Sequence, residues 1–379
     1  MTASNSTTNH PFAFEVGKNA LHKTRIVPLD IAQPLLENEV LLKVDKFALT
    51  ANNISYGITG AALGYWQFFP CDLAADRALW GRLPVMGFAD VIESNCCDIQ
   101  VGERVWGFMP MASHVKIQAG KVSKTGFTDI SPCRDGLAPL YSRFDRVTQN
   151  LSYSVKNEDY DILLRGLFTT SWLVDDFMFD HEYFGAQQYL ITSASSKTSI
   201  ALAFSIKQRG ERPAIAITSE ANLSFVSSLG CYDHVVSYAD IHTLDSSVAS
   251  ILVDMAGGQS TLSAVHQHFA DNLRYSCRIG VTQHTDVNLN NSFSIDNLPG
   301  AKPEFFFAPT QLQKRSAQWG AAVTMAQVSR SMLAYIDFCR ASISIDLTTN
   351  LNDLNAVYQR ILAGTADASV GHIICVTAN

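Results

Sequence analysis

The chain has 379 residues, 47% of them hydrophobic and 17% charged, with a formal net charge of −7. That is enough apolar material for a large core, and the length suits two domains or one elaborated one. An acidic chain with no basic block argues against nucleic-acid binding, and no apolar run reaches the roughly 20 residues that a membrane-spanning helix needs.

Residues 1–10 are polar, rich in Ser, Thr and Asn, and have no apolar core of a signal peptide, so a mobile tail and a cytoplasmic protein are expected. Residues 12–30 alternate and predict a strand pair. In Asn38–Phe47, Val40, Leu42 and Val44 share one strand face while Lys43 and Asp45 point away. Ala48–Gly57 carries small and amide residues beside Tyr56, which suits a loop or short helix. Tyr65, Trp66, Phe68 and Phe69 follow as a dense aromatic cluster, either a core plug or the wall of an apolar pocket. Leu83–Ser94, the turn and strand over Ile99–Phe108, and Ser113–Ile117 complete a small β domain, and residues 121–150 read as irregular.

From Asn157 the period turns helical, with Thr169 and Thr170 at the expected start of the helix. Tyr189–Ile191 is a buried-strand run, Ser193–Ser199 is a hydroxyl-rich turn with N-cap chemistry, and Ile200 to Lys207 have helical spacing closed by Gly210. Such a turn aims free backbone N–H groups and the positive end of a helix dipole at an anion, most often phosphate. Strands are expected next at Ala214–Thr218, Val235–Ser237, Ser250–Asp254, Tyr275–Val281 and Glu304–Ala308, with helices at Ala221–Leu229 and Thr261–Asp271 between them. One long helix, Gln311–Phe338, then precedes strand Ser342–Thr348, helix Asn352–Ala363 and strand His372–Val376. Alternating strands and helices argue for an open parallel sheet.

Pro84-Val85-Met86-Gly87, Val101–Gly107, Ser228–Tyr238, Val253–Gly258 and Val370–Val376, in that order after the strand Glu39–Val44, resemble the medium-chain dehydrogenase/reductase superfamily over nearly the whole chain. The zinc-free, quinone oxidoreductase-like branch is the nearest match, in a side branch of unestablished function. The resemblance implies an α/β protein: a GroES-like, partly open β-barrel domain (residues 1–155 and 339–379) plus a Rossmann-type doubly wound parallel sheet domain (156–338). It also implies a homodimer through the sheet edges of the nucleotide domain.

Departures from the family bear on function. The zinc ligands of metal-bearing members are replaced by Ala48–Asn52 and Phe88-Ala89, so no zinc is expected. Ser193, Ser196 and Ser199 occupy the places of the family's A-x-x-G-x-x-G. Serine keeps phosphate binding possible with changed geometry, and Lys197 adds a positive charge; the other reading is a helix cap with a solvated lysine. The second strand ends without an acidic residue at Ile217–Ser219, and Ser219 with Asn222 favours NADP(H) while leaving NAD(H) open. Ser195, Thr198, Tyr238 and Thr169 complete the expected cofactor-binding set, the last by the family's position near a nicotinamide. Tyr56, supported by Asn52 and Tyr65, is the expected catalytic hydroxyl, against the alternative that it only packs. His266 and His268 stand two apart on a helix and do not share a face, so they predict no metal site, while His284 could face the cofactor crevice. The eight cysteines include no CxxC pair and read as free thiols.

Two functions remain open at this point. One is an NADP(H)-dependent, zinc-independent oxidoreductase that reduces an apolar quinone, enone or aldehyde by hydride transfer in the interdomain cleft. The other is a non-catalytic or accessory descendant that binds a different phosphorylated ligand or a protein partner.

Overall fold

The computed structural model describes residues 10–137, 139–150, 152–255, 258–279 and 298–376. The chain opens with β1 (Phe12–Gly17), β2 (Ala20–Pro28), β3 (Glu39–Leu49), α1 (Ala51–Ile58), β4 (Trp80–Gly81), β5 (Pro84–Ser94), β6 (Arg104–Pro110), β7 (His114–Ser123), β8 (Gly126–Asp129), β9 (Arg143–Arg146) and α2 (Glu158–Asp180). It continues with β10 (Gln188–Ile191), α3 (Lys197–Arg209), β11 (Ala214–Thr218), α4 (Leu223–Ser228), β12 (His234–Ser237), β13 (Ser250–Asp254), α5 (Gln259–Phe269), β14 (Leu273–Arg278), β15 (Pro303–Phe305), α6 (Ala308–Trp319) and α7 (Ala321–Arg340). It closes with β16 (Ser344–Thr348), α8 (Leu351–Leu362) and β17 (Val370–Cys375). Two units result: the described residues up to Leu163 with those from Ile345 onward, and Leu164–Ser344.

In the first unit the strands run β3-β5-β6-β9-β8-β7, and β7 pairs back onto β3, closing a barrel-like circuit. The alternation on β3 sets its register. Val40 and Leu42 lie opposite Ile117 and Val115, and the side chains of Val40, Leu42 and Val44 are wholly buried while Lys43 is exposed. The expectation of an irregular stretch over residues 121–150 is corrected: β7 runs on to Ser123 and both β8 and β9 lie inside it. The strands are short, and their signal is one residue each. Phe127 and Phe144 stack at 5.7 Å in the core, and a Cβ on Gly126 would come within 2.1 Å of the Phe144 carbonyl oxygen.

The second unit holds six parallel strands in the order β12-β11-β10-β13-β14-β15, a doubly wound arrangement. β10 sits at its centre, and Tyr189, Leu190 and Ile191 are all fully buried because both faces are covered. Three expectations are corrected here. The single helix Gln311–Phe338 is two, since Gly320 adopts φ 89° and ψ 138°, a conformation outside the helix that glycine accepts readily. The last strand is an edge of three residues with Glu304 and Phe305 exposed, where a buried Glu304–Ala308 was expected. Helix α2 starts at Glu158, so Thr169 and Thr170 lie in its interior. The expected strand end at Val281, together with Ala256, Gly257 and His284, lies outside the described residues.

Candidate functional site

The turn between β10 and α3 is built by its own hydroxyls. Ser196 is the N-cap of α3, its Oγ accepting the Ser199 N–H at 3.2 Å and lying 2.8 Å from the Ser199 Oγ. Ser199 is fully buried and donates to the Thr192 carbonyl at 2.9 Å. Both serine side chains therefore tie the turn together, and the N-cap lies at φ −71°, where a Cβ is at no disadvantage. The unusual residue is Ser193, at φ 50°, in the left-handed region that favours glycine. Gly210 ends the helix at φ 74°, as the sequence predicted.

Surrounding elements hold this turn from behind. The Thr192 hydroxyl donates to Asp254 Oδ1 at 2.8 Å and accepts the Met255 N–H at 3.1 Å, joining the ends of β10 and β13. Ser171 donates to the Thr198 carbonyl at 2.8 Å, Tyr335 to that of Lys197 at 3.1 Å and Tyr232 to that of Ala194 at 2.8 Å. With these carbonyls engaged and the Ser199 N–H taken by Ser196 Oγ, what the first turn of α3 offers an anion is the rest of its N-terminal amides and the positive end of its dipole. Lys197 is the first residue of α3 and half-buried, with Thr198 beside it. The Thr169 hydroxyl instead bonds within α2, donating to the Arg165 carbonyl at 2.8 Å.

The end of β11 carries neutral polar groups. Asn222 Nδ2 donates to Ser195 Oγ and to Ser219 Oγ, both at 3.0 Å, and Tyr238 Oη lies 3.3 Å from Ser193 Oγ. Thus Ser193, Ser195, Ser219, Asn222 and Tyr238 are brought to one place, and Glu220 is exposed beside it. Thr218, 1% exposed, has a buried Oγ1 without a hydrogen-bond partner. It lies on the same face of β11 as Ala216, which packs with Ala194 and Val226 under this cluster. Outward amides, a hydroxyl and amide cluster and one orphaned buried hydroxyl fit the pyrophosphate and ribose of a dinucleotide.

In the first unit, α1 presents Asn52 and Tyr56 one turn apart, and Asn52 Nδ2 donates to Tyr56 Oη at 2.7 Å. Tyr65 stacks on Tyr56 with ring centroids 4.3 Å apart. The three expected catalytic residues are therefore together. Trp66 is a core plug, since a Cβ on Gly60 or Gly81 would lie 2.3 or 2.4 Å from its ring. Phe68 and Phe108 wall the tyrosines, their rings 5.1 Å apart and edge-on. Tyr141, from the stretch read as irregular, completes the group. Its ring lies 4.9 Å from Phe108, 6.0 Å from Phe68 and 6.1 Å from Tyr65. Burial raises the pKa of Tyr56, Tyr65 and Tyr141, so all three are neutral donors at ordinary pH.

His266 is buried between the Pro299 carbonyl and Ser276 Oγ, each at 2.9 Å, and burial lowers its pKa. His268 turns elsewhere, to the Leu244 carbonyl at 2.8 Å. Among the described residues no group of three or more His, Cys, Asp or Glu side chains could hold a metal ion, and no helix is long and apolar enough to cross a membrane.

A family profile described as "Protein of unknown function (DUF2855)" matches residues 47–367. No curated protein matches the chain. Among solved structures, the yhdH oxidoreductase from Salmonella enterica in complex with NADP aligns with a TM-score of 0.52 at 12% identity, over 96% of this chain and 99% of that one. CurA in complex with NADPH from Vibrio vulnificus aligns with a TM-score of 0.57 at 14% identity, over 94% and 95%. The human synaptic vesicle membrane protein VAT-1 homolog-like protein aligns with a TM-score of 0.52 at 12% identity, over 98% and 99%. These likenesses show a shared fold, the barrel-like unit and the doubly wound parallel sheet that the order of motifs implied.

Proposed function

The chain belongs to the DUF2855 family, and from that premise we propose that it is an NADP(H)-dependent oxidoreductase that reduces an apolar quinone, enone or aldehyde without a metal ion. The observation that carries this reading is the hydroxyl and amide cluster of Ser193, Ser195, Ser219, Asn222 and Tyr238 beside the first turn of α3. Phosphate oxygens take hydrogen bonds from the outward amides there, and ribose oxygens from the neutral cluster. The strand end Ile217–Ser219 carries no carboxylate, which favours NADP(H) over NAD(H), and the nearest one, Glu220, follows it and is exposed. Two of the similar structures contain that cofactor. Reduced nicotinamide, when bound, supplies the hydride. The chain's own contribution to chemistry is the phenol group around Tyr56, with Asn52 orienting it and Tyr65 stacked on it. A homodimer through the β15 edge of the parallel sheet is in keeping with Phe305, which is 66% exposed among the described residues.

A second reading, in which the chain binds another phosphorylated ligand or a protein partner and does no redox chemistry, draws on Ser196 and Ser199. Their hydroxyls are spent inside the turn, at places where the resembled family's motif has glycine. Native mass spectrometry of the protein as purified and after addition of NADPH separates the two. An adduct of dinucleotide mass supports the first. A different phosphorylated mass, or no adduct with NADPH, overturns it.

A further inference from the structure

We infer that Arg134 anchors a binding site inside the first unit, where its Nη1 donates to the oxygen of a neutral, flat, conjugated carbonyl compound. Arg134 is 6% exposed and donates from Nε to Asp129 Oδ2 at 2.7 Å. Asp129 is itself buried, and its other oxygen is engaged by the Ser131 hydroxyl and by the N–H groups of Ser131 and Gln118. Arg134 Nη1 is buried with no hydrogen-bond partner. The guanidinium carbon lies 4.4 Å from the ring centroid of Phe69 and 4.9 Å from that of Phe68. Ring faces favour the positive charge but give an N–H no lone pair. A buried guanidinium donor left without an acceptor is costly, so an acceptor oxygen brought by a guest is favoured there.

Charge and shape define the guest. Arg134 and Asp129 already balance each other, so a guest with its own charge would leave a net charge buried, whereas a neutral carbonyl oxygen would not. Beyond the guanidinium, Phe68 meets Phe108 edge-on at 5.1 Å and Tyr141 edge-on at 6.0 Å, and stacks with Tyr65 at 6.1 Å. These ring faces and edges suit a flat conjugated skeleton. Tyr65 and Tyr141 are half-buried, which puts the solvent side of the group at those two rings. Arg134 is thereby a specificity residue for the carbonyl compounds of the proposed reductase. Calling the guest a substrate rests on that reading, but its binding does not.

The test uses three probes without NADPH: 1-indanone, a flat conjugated ketone; indane, the same rings without the oxygen; and indane-1-carboxylate. Isothermal titration of wild type is expected to show 1-indanone binding about tenfold more tightly than either of the others. With arginine side chains labelled with nitrogen-15, the Arg134 Nη resonance is expected to move on adding 1-indanone and to stay on adding indane. Arg134→Lys identifies that resonance by its loss. It keeps the charge but loses the planar fork, and should bring 1-indanone down to the affinity of indane. If thermal melting shows that this variant does not fold, the wild-type titrations decide alone. Equal affinity of wild type for 1-indanone and indane, an Nη resonance unmoved at saturation, or tighter binding of the carboxylate overturns the inference. A wild type that binds 1-indanone but no NADPH defeats the reductase reading alone.

Discussion

Asn52 and Tyr56 stand one turn apart on α1, and the amide of the first donates to the phenol oxygen of the second at 2.7 Å. That bond fixes which way the Tyr56 proton points. Replacing Asn52 with Leu removes the donor and lets the Tyr56 hydroxyl turn. Steady-state kinetics with NADPH and a quinone should show kcat lowered about tenfold, with a stability change of about 1 kcal/mol by chemical denaturation. Unchanged kcat would mean that Asn52 only caps the exposed side of the cluster.

Ser193 is held at φ 50°. Left-handed backbone costs a residue with a Cβ about 1–2 kcal/mol, and a β-branched residue more. Ser193→Gly should melt at or above the wild-type temperature, because the relief offsets glycine's greater unfolded-state entropy. Ser193→Val should be destabilised by about 2 kcal/mol in the same thermal melt. Equal stabilities for the two variants would contradict the strained geometry.

Thr192 bridges Asp254 and the Met255 amide at the ends of two neighbouring strands. Thr192→Val keeps the shape and deletes the hydroxyl, leaving the buried Asp254 carboxylate and the Met255 N–H each one partner short. The expected loss is about 2 kcal/mol in urea unfolding. The turn it anchors should also bind NADPH less tightly, which isothermal titration would read.

Glu158, at the start of α2, receives hydrogen bonds from Arg104 at 2.8 and 3.0 Å and from Tyr153, and pairs with Lys46 at 2.9 Å. Burial alone would raise its pKa, but these partners outweigh it and hold the carboxyl at about 2, below its ordinary 4.5. A depressed folded-state pKa stabilises the fold above the unfolded value, and the contribution is lost as pH falls from about 4.5 toward 2. It amounts to about 3 kcal/mol. Glu158→Gln should lower stability at neutral pH and flatten the acid limb of the stability curve across that window, followed by denaturant titrations at several pH values.

Much of this was legible in the residues. The run Tyr189–Ile191, the hydroxyl turn and Gly210 stand where periodicity and cap chemistry put them, because strand, cap and glycine signals there agree. Ser195, Ser219 and Asn222 were legible as polar residues at two strand ends, and the parallel sheet makes them neighbours. Tyr141 was not legible, because it sits in a stretch of short strands and turns with no period, and only barrel closure brings its ring to Phe108 and Tyr65. Gly320 was passed over because apolar spacing continues across it, while backbone conformation decides the break. Thr169 was expected at a helix start, and it lies inside α2 because the helix already begins at Glu158.

The proposed function requires that the turn after β10 hold a nicotinamide dinucleotide with serines in place of glycines. The direct measurement is titration of the purified protein with NADPH and with NADH, followed by nicotinamide fluorescence, for wild type and Asn222→Ala. Saturable NADPH binding is expected, tighter than NADH, and weakened about tenfold by loss of the Asn222 amide. No saturable binding of either dinucleotide up to about 1 mM would contradict it, and the serines would then be no more than a helix cap.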